Sequence, residues 1–294
     1  MKVGIQFCSF TVAGGTPAIA PVMERAIRAA DDSGFDSIWL MDHLFQIRSI
    51  GPVEWPMLEG STALGWVAAI TKRARIGLLV GAAPYRLPAI WIKAATTLDV
   101  LSGGRAWLGL GAGWNWQEAN GLGIPWPERR DRFAMLEDSL RMAHEMFAGE
   151  RGSEAAFEGR VYRAERLLNS PQSISRPRVP IMVGGGGERK TLRLVAQYAD
   201  AANVFGGPEA VHHKWQVLRA HCEAVGRPFD EIERSTLQDV DFGRGRQSVG
   251  QIVDRFGELA DAGVQHVIIT DNDLFDPDRI ATLGTQLIPQ LRDL

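Results

Sequence analysis

The fold is decided by the stretch Pro180-Ile181-Met182-Val183-Gly184-Gly185-Gly186-Gly187, which leads into a helical pattern beginning near Glu188. Its apolar residues show no alternation with polar ones, which is typical of a parallel strand buried on both faces. The four glycines then provide a turn without side chains. Strand, turn and helix together make one βα unit.

The same βα unit occurs eight times along the 294 residues. Eight sequential units predict an α/β fold that is a closed (β/α)8 or TIM barrel with insertion loops, in one domain spanning residues 1–294. An open doubly wound sheet also alternates strands and helices, but it usually has fewer strands and reverses direction at a switch point. The predicted strands are Val3–Cys8, Ser37–Met41, Ile76–Val80, Ala106–Leu110, Pro180–Val183, Ala201–Phe205, Arg234–Val240 and His266–Thr270.

Composition and charge exclude several classes of protein. Hydrophobic residues make up 45% and charged residues 23%, which is typical of a globular chain, and no apolar run reaches the ~18 residues of a membrane span. The net charge of −3 is dispersed, so nucleic acid is not expected as a partner. The two cysteines, Cys8 and Cys222, predict reduced thiols rather than a disulfide framework or zinc site. Residues 1–5 show no export signal, so a cytoplasmic location is expected.

The residues that follow the predicted strands are polar or glycine. In a barrel these positions meet at one face, where active sites lie. They are Cys8-Ser9, Asp42-His43, Gly81-Ala82, Gly111-Ala112-Gly113-Trp114-Asn115, Gly184 to Gly187, Asn203, Asp239 to Asp241 and Asp271-Asn272.

The glycine turn Gly184-Gly185-Gly186-Gly187 predicts a phosphate site. Free backbone N–H groups and the positive end of the following helix dipole bind anions, and the missing side chains allow a close approach. The alternative is a flexible strand-to-helix turn, although four glycines cost conformational entropy that such a turn does not require.

The segment Gly111-Ala112-Gly113-Trp114-Asn115 is not a dinucleotide fingerprint, because Trp114 stands where that pattern has its third glycine. Small residues at alternating positions instead predict a strand end against which a flat ring lies, with Trp114 and Asn115 at its border. Close packing within the barrel is the alternative.

Asp42-His43 is the predicted acid/base pair, because histidine titrates near neutral pH and a strand end would hold it at the site. A purely structural histidine is the alternative, and Asp42 either orients the ring or caps the next element. Residues 44–60 are predicted to form a substrate lid or a rim-packing loop. Residues 148–178 begin on the opposite face and are given no catalytic role.

Four motifs together resemble the luciferase-like flavin and deazaflavin oxidoreductase superfamily, and most closely its F420-dependent branch. They are Gly34-Phe35-Asp36-Ser37-Ile38-Trp39, Asp42-His43, Thr97-Leu98-Asp99-Val100-Leu101-Ser102-Gly103-Gly104-Arg105 and Gly109-Leu110-Gly111-Ala112-Gly113-Trp114. The resemblance continues through residues 180–187 and Ala199-Asp200, and so covers nearly the whole chain.

The resemblance implies a barrel that binds coenzyme F420 or, in sister groups, FMN. The cofactor phosphate would lie at Gly184, Gly185, Gly186 and Gly187. The ring would lie among Asp42, His43, Val80, Gly81, Ala82, Gly111, Ala112, Gly113, Trp114 and Asn115, with Asn203 at a neighbouring strand end. It also implies a bulge or non-proline cis peptide at Val80-Gly81-Ala82. Arg86, Lys93, Arg189 and Lys190 are basic residues considered for a cofactor tail.

One residue departs from the pattern. The sugar-phosphate dehydrogenases of this family have a catalytic glutamate where this chain has Trp114, which favours an apolar or aromatic substrate.

The function expected is therefore F420-dependent hydride transfer to or from an organic substrate, with His43 as proton donor or acceptor. The alternatives are an FMN-dependent two-component monooxygenase served by a separate cofactor-reducing enzyme, a non-catalytic flavin- or F420-binding protein, and a phosphosugar barrel without redox chemistry. A homodimer acting on a small molecule is expected from the resemblance.

Overall fold

The computed structural model describes residues 1–243, 246–271 and 274–294. The strands in chain order are β1 (Lys2–Phe7), β2 (Ser37–Leu40), β3 (Arg75–Leu78), β4 (Gly81–Ala82), β5 (Leu108–Gly111), β6 (Gly152–Ser153), β7 (Phe157–Glu158), β8 (Arg163–Ala164), β9 (Leu167–Leu168), β10 (Ile181–Gly184), β11 (Ala201–Val204), β12 (Glu233–Asp239) and β13 (His266–Thr270).

The helices are α1 (Thr16–Ser33), α2 (Gly60–Ile70), α3 (Pro88–Ser102), α4 (Trp116–Gly121), α5 (Arg129–Met146), α6 (Thr191–Tyr198), α7 (Pro208–Val225), α8 (Val249–Asp261), α9 (Pro277–Gln286) and α10 (Ile288–Arg292). Short 3-10 turns cover Ala83–Tyr85 and Phe229–Glu231. No helix in the described ranges is long and apolar enough to cross a membrane.

Nine strands form one parallel sheet in the order β3-β2-β1-β13-β12-β11-β10-β5-β4. A parallel bridge between Ile76 and Ala106 joins β3 to the segment before β5 and closes the ring. The predicted (β/α)8 barrel is therefore confirmed, and every predicted strand has a counterpart.

The third predicted strand, Ile76–Val80, is not continuous. β3 ends at Leu78, a cis peptide joins Leu79 to Val80, and the chain returns to the sheet as β4, which pairs with β5. The cis peptide expected within Val80-Gly81-Ala82 thus lies one bond earlier, between Leu79 and Val80. The Val80 side chain packs against the glycines of β5 and β10.

The barrel interior is filled by apolar side chains from five of the eight strand positions. Trp39, Trp107, Met182, Ala201 and Ile268 form one buried cluster, and their exposed fractions are 8% or less. A second and larger cluster lies between the strands and the surrounding helices. Because this packed layer blocks the barrel axis, the open space lies beyond the strand ends.

Residues 148–178 are fixed to the outside of the barrel by two buried carboxylates. Asp138 of α5 accepts backbone N–H groups of residues 160–162 at 2.7 to 3.1 Å, and Asp99 of α3 accepts those of Ile174 and Ser175 at 2.7 and 2.9 Å. Short antiparallel pairs, β6 with β9 and β7 with β8, complete the insertion. None of its residues lines the cavity described below.

Candidate active site

A cavity of about 1410 Å³ lies at the carboxyl ends of the barrel strands. Ligand sites typically measure about 300–1,000 Å³, so this one has room for a cofactor and a substrate together. The structure brings almost every site residue predicted from sequence into its wall: Asp42, His43, Val80, Gly81, Ala82, Gly111, Ala112, Gly113, Trp114, Gly184, Gly185, Gly186, Gly187 and Asn203.

Asn115 is the exception, because it begins a helix instead of facing the cavity. Its side-chain oxygen accepts the backbone N–H of Gln117 at 3.3 Å, which caps α4, and asparagine is among the preferred residues at that position. Asn203 lines the cavity and donates to Ser235 at 3.0 Å. Asn272 lies outside the described residues.

The His43 ring is held by a carboxylate. Its Nδ1 lies 2.5 Å from Oε1 of Glu118, a side chain with no exposed surface. The carboxylate also accepts the backbone N–H groups of Leu44 at 2.6 Å and Phe45 at 3.0 Å, and the Tyr85 hydroxyl at 2.5 Å. Burial alone would raise the pKa of Glu118, but these donors outweigh burial and lower it.

Ionised Glu118 determines the tautomer of His43, and so which ring nitrogen is left without a partner. A carboxylate can only accept, so Nδ1 of His43 must be the donor in this pair. Nε2 has no hydrogen-bond partner within the described ranges, and 16% of the side chain is exposed at the cavity wall. His43 can therefore take or release a proton at Nε2.

Sequence reasoning missed Glu118. It lies in the first turn of α4, four residues after Trp114 and seven after the end of β5. An acid in the first turn of a helix is favourable for the helix dipole in any case, so this position by itself does not reveal its contact with His43.

Asp42 does not orient His43, because its carboxylate binds other groups and the His43 ring is held by Glu118. Its carboxylate lies 2.6 Å from Arg86 Nη1 and accepts the Ala82 N–H at 3.0 Å. Burial raises the pKa of Asp42 to about 6 despite the nearby Arg86 guanidinium. Arg86 also contacts Glu59 at 2.5 Å. Asp42 therefore fixes the backbone of β4, which is neither of the two roles considered from the sequence.

The cavity floor is flat because glycines leave it without side chains. A Cβ on Gly111 would lie 2.9 Å from Val80, and a Cβ on Gly184 would lie 2.6 Å from the same side chain. Real Cβ atoms essentially never come within 3.0 Å of another heavy atom, so larger residues here would displace Val80. The arrangement fits a planar ring lying across the two strand ends.

The glycine turn after β10 offers free donors. Gly185 has φ +118 and donates its N–H to Asn203 O at 2.9 Å. The N–H groups of Gly186 and Gly187 have no acceptor in the described part of the chain. This cradle suits a phosphate, because backbone N–H groups are good anion donors and no side chain blocks them.

Helix α6 begins at Thr191 and not near Glu188 as the sequence suggested. The Gly187 carbonyl accepts from Leu192, five residues on, so residues 188–190 form a turn before the helix. Of the basic residues considered for a cofactor tail, Arg86 is paired with Asp42, and Lys93 donates to Ser170 O outside the cavity. Among the described residues, the arginines that line the cavity are Arg129, Arg132, Arg246 and Arg255.

Trp114 stands beside His43 at the cavity mouth. The two rings meet edge to face, with centroids 5.3 Å apart and planes at 71°. Trp114 is 63% exposed. From the loop of residues 44–60, Ile47, Ser49 and Ile50 reach the same cavity, so this loop contributes part of the wall.

The fold and this site define an α/β-barrel protein with a cofactor-sized cavity and a carboxylate-held histidine at the carboxyl face, where barrel active sites lie. The chain belongs to the luciferase-like monooxygenase family, whose model matches residues 1–266. The family membership predicted from the sequence motifs is thereby confirmed.

Among curated relatives, an F420-dependent glucose-6-phosphate dehydrogenase of Nakamurella multipartita is 33% identical over 232 residues, which cover 76% of this chain and 64% of the relative. A protein of the same name from Kineococcus radiotolerans is 36% identical over 217 residues, covering 70% and 59%. The chain thus spans less than two thirds of the length of these relatives.

Two solved structures share the fold. An F420-dependent secondary alcohol dehydrogenase in complex with an F420-acetone adduct superposes with a TM-score of 0.82 at 18% identity, covering 99% of both chains. A long-chain alkane monooxygenase superposes with a TM-score of 0.81 at 12% identity, covering 99% of this chain and 90% of the other. At these identities the likeness concerns the fold alone.

Proposed function

We propose that this chain is an F420-dependent oxidoreductase that transfers a hydride between the deazaflavin and an organic substrate, with His43 as proton donor or acceptor. The observation that carries the proposal is the His43–Glu118 contact, which leaves Nε2 of the histidine open at the cavity mouth. The names of the curated relatives support F420 as the cofactor.

Different residues of the cavity would bind the phosphate and the ring of the cofactor. Gly186 and Gly187 would hold the cofactor phosphate through their free N–H groups, and the surface formed by Gly111, Gly184 and Val80 would lie against the ring. Bound F420 supplies the hydride chemistry, whereas the protein supplies orientation and proton handling.

His43 would exchange the substrate proton at Nε2. When a substrate alcohol is oxidised, its O–H proton moves to this nitrogen and leaves an imidazolium. Glu118 stays ionised and accepts from Nδ1. Its negative charge therefore stabilises the imidazolium, as the carboxylate of a histidine–carboxylate pair does. In the reducing direction the same nitrogen returns the proton.

The test is a fluorescence titration of the protein with F420 and, separately, FMN. We expect micromolar or tighter F420 binding and weaker FMN binding. Tighter FMN binding would overturn the proposal in favour of a two-component monooxygenase, and binding of neither would refute both. F420 binding without hydride transfer to any alcohol or ketone would leave a non-catalytic binding protein.

Gly186→Ala makes the titration specific for the glycine turn. A Cβ there would lie 3.6 Å from Lys214 Cε, an ordinary contact, so folding should be unaffected while the methyl group enters the phosphate cradle. F420 affinity should fall at least tenfold. The matched control is Gly250→Ala in α8, whose Cβ would have no neighbour within 3.8 Å, and it should bind F420 as the wild type does.

We also propose that the protein forms a homodimer, as the family resemblance implies, and that it works in the cytoplasm. In the reducing direction, a separate enzyme would supply the reduced cofactor. Sedimentation velocity tests the first point, because a single species at the mass of one chain, 32.3 kDa, would contradict it.

A further inference from the structure

A second pocket lies at the opposite end of the barrel from the candidate active site. It has a volume of about 250 Å³ and lies at the amino ends of the strands, where Lys2 begins β1, Arg75 begins β3 and Glu233 begins β12. In the described part of the chain, it shares no lining residue with the large cavity. Ligand sites typically start near about 300 Å³, so this pocket has room for a small ion or a single charged group rather than a second cofactor.

The acid at the back of this pocket is already paired. Glu233 Oε2 lies 2.6 Å from Lys2 Nζ, and its Oε1 lies 2.8 Å from His266 Nδ1. Burial alone would raise the pKa of Glu233, but these partners outweigh burial and lower it to about 2. The other nitrogen of His266 lies 2.9 Å from Ser37 Oγ, which also accepts from Trp39 Nε1 at 2.7 Å. Both Glu233 oxygens are therefore engaged within a fixed wall.

The rest of the pocket carries an excess of positive charge. Arg73, Arg75 and Arg292 line it, and Asp36 is the acid that lies among them. None of the three arginines forms an ion pair with a carboxylate of the described residues. Like charges that line one concave surface reinforce each other's potential, so the pocket attracts anions.

Two of the pocket's hydrogen-bond donors lack acceptors. The Arg75 guanidinium lies over the Trp107 ring, 5.7 Å from its centroid, and has no hydrogen-bond acceptor within the described ranges. Trp107 is 8% exposed, and its buried Nε1–H has no acceptor there either. A buried donor without a partner is unfavourable and needs an explanation. Arg292 uses one nitrogen, which donates to Gly34 O at 3.2 Å, and its other N–H groups remain available.

We propose that this pocket is a second binding site, on the amino face of the barrel, for a phosphate group that is either free inorganic phosphate or part of a small metabolite. Arg75 and Arg292 donate to its oxygens, because the fork of a guanidinium group matches two phosphate oxygens. Arg73 adds positive charge, and an oxygen in the pocket supplies the acceptor that the Trp107 N–H lacks. A phosphate dianion gains more from three guanidinium groups than a monocarboxylate does.

The experiment is a calorimetric titration of cofactor-free protein with inorganic phosphate at constant ionic strength. Every variant carries Gly186→Ala, because the glycine turn after β10 is itself a candidate phosphate site. In this background phosphate should bind with a Kd of about 1 mM or tighter. Adding Arg75→Gln should weaken binding at least tenfold. The matched control is Arg163→Gln, which removes an exposed arginine that lines neither site and should leave the affinity unchanged.

Thermal unfolding gives the second readout, since a ligand that binds the folded state raises Tm. Phosphate should raise Tm of the Gly186→Ala protein and of the Arg163→Gln control, and should raise it less after Arg75→Gln. Tm without phosphate shows whether each variant is folded, and Arg292→Gln, at the end of α10, serves as the second test variant if Arg75→Gln lowers it.

Equal phosphate affinity with and without Arg75→Gln and Arg292→Gln would overturn the proposal, because the anion would then bind elsewhere. Acetate binding as tightly as phosphate would also overturn it. Glycerol 3-phosphate distinguishes the two sources: tighter binding than phosphate assigns the site to a phosphorylated metabolite, and weaker binding assigns it to the free ion. None of these titrations requires F420, so their outcome is independent of the proposed function.

Discussion

Replacing Glu118 with glutamine tests the proton-transfer site most directly. The carboxylate accepts from His43 Nδ1 and the Tyr85 hydroxyl on Oε1, and from the N–H groups of Leu44 and Phe45 on Oε2. An amide has one accepting oxygen, so one of these two pairs of donors must face an NH2 group.

Either orientation of the amide damages the site. If the NH2 faces Leu44 and Phe45, two buried N–H groups lose their acceptor, at about 1–3 kcal/mol each. If it faces His43, it donates to Nδ1 and forces the proton onto Nε2, which can then no longer act as a base. Loss of the negative charge also leaves the imidazolium without its counter-ion. A combined loss of about 3 kcal/mol in the transition state corresponds to roughly a hundredfold lower kcat.

The assay measures two quantities, which are kcat with reduced or oxidised F420 and the affinity for F420. Glu118 is not part of the cavity wall, so affinity should change less than about threefold while kcat falls. Glu145→Gln is the matched control, because Glu145 is exposed on α5 and should leave both values unchanged. A Glu118→Gln variant with kcat within threefold of wild type would refute the assigned role of the His43–Glu118 pair.

Two further predictions concern stability. Burial raises the pKa of Asp42 from 3.8 to about 6 even beside Arg86, so its favourable contribution is present below about pH 4 and is lost as pH rises through 6. Urea unfolding between pH 4 and 7 should show the wild type losing about 2 kcal/mol relative to Asp42→Asn, and parallel curves would contradict this. Gly81→Ala would place a Cβ 1.7 Å from the buried Trp91 ring, so Tm should fall by about 5–10 °C, whereas Gly65→Ala, with no neighbour near its Cβ, should not lower it.

The barrel could be predicted from sequence because its strands are buried on both faces. Apolar runs such as Ile181–Gly184 and His266–Thr270 indicate parallel strands of a barrel once eight of them alternate with helical segments. The break after Leu78 could not be predicted from the run itself, because Leu79 and Val80 are as apolar as the strand before them. It depends on the space that glycines leave on two neighbouring strands.

The site was predicted less completely for a physical reason. Residues that follow a strand are placed by that strand, so His43 and residues 184–187 could be assigned to the cavity from sequence. Glu118 reaches His43 from a helix, and arginines of α5 and α8 reach the cavity from theirs, so these contacts depend on how the helices pack. Asn115 shows the reverse case, since its position after a strand suggested the cavity whereas its preference for a helix N-cap decides its orientation.

Asp42 and His43 belong to two separate hydrogen-bond networks, and adjacent residues, Arg86 and Tyr85, take part in them. Tyr85 donates to Glu118 and so supports His43, while its neighbour Arg86 pairs with Asp42 and thereby holds β4. One short segment after β4 therefore connects the proton-transfer residues to the backbone beneath the cavity floor. Because Asp42 holds β4 and Glu118 holds His43 through Nδ1, the backbone beneath the floor is fixed while His43 Nε2 stays open at the cavity.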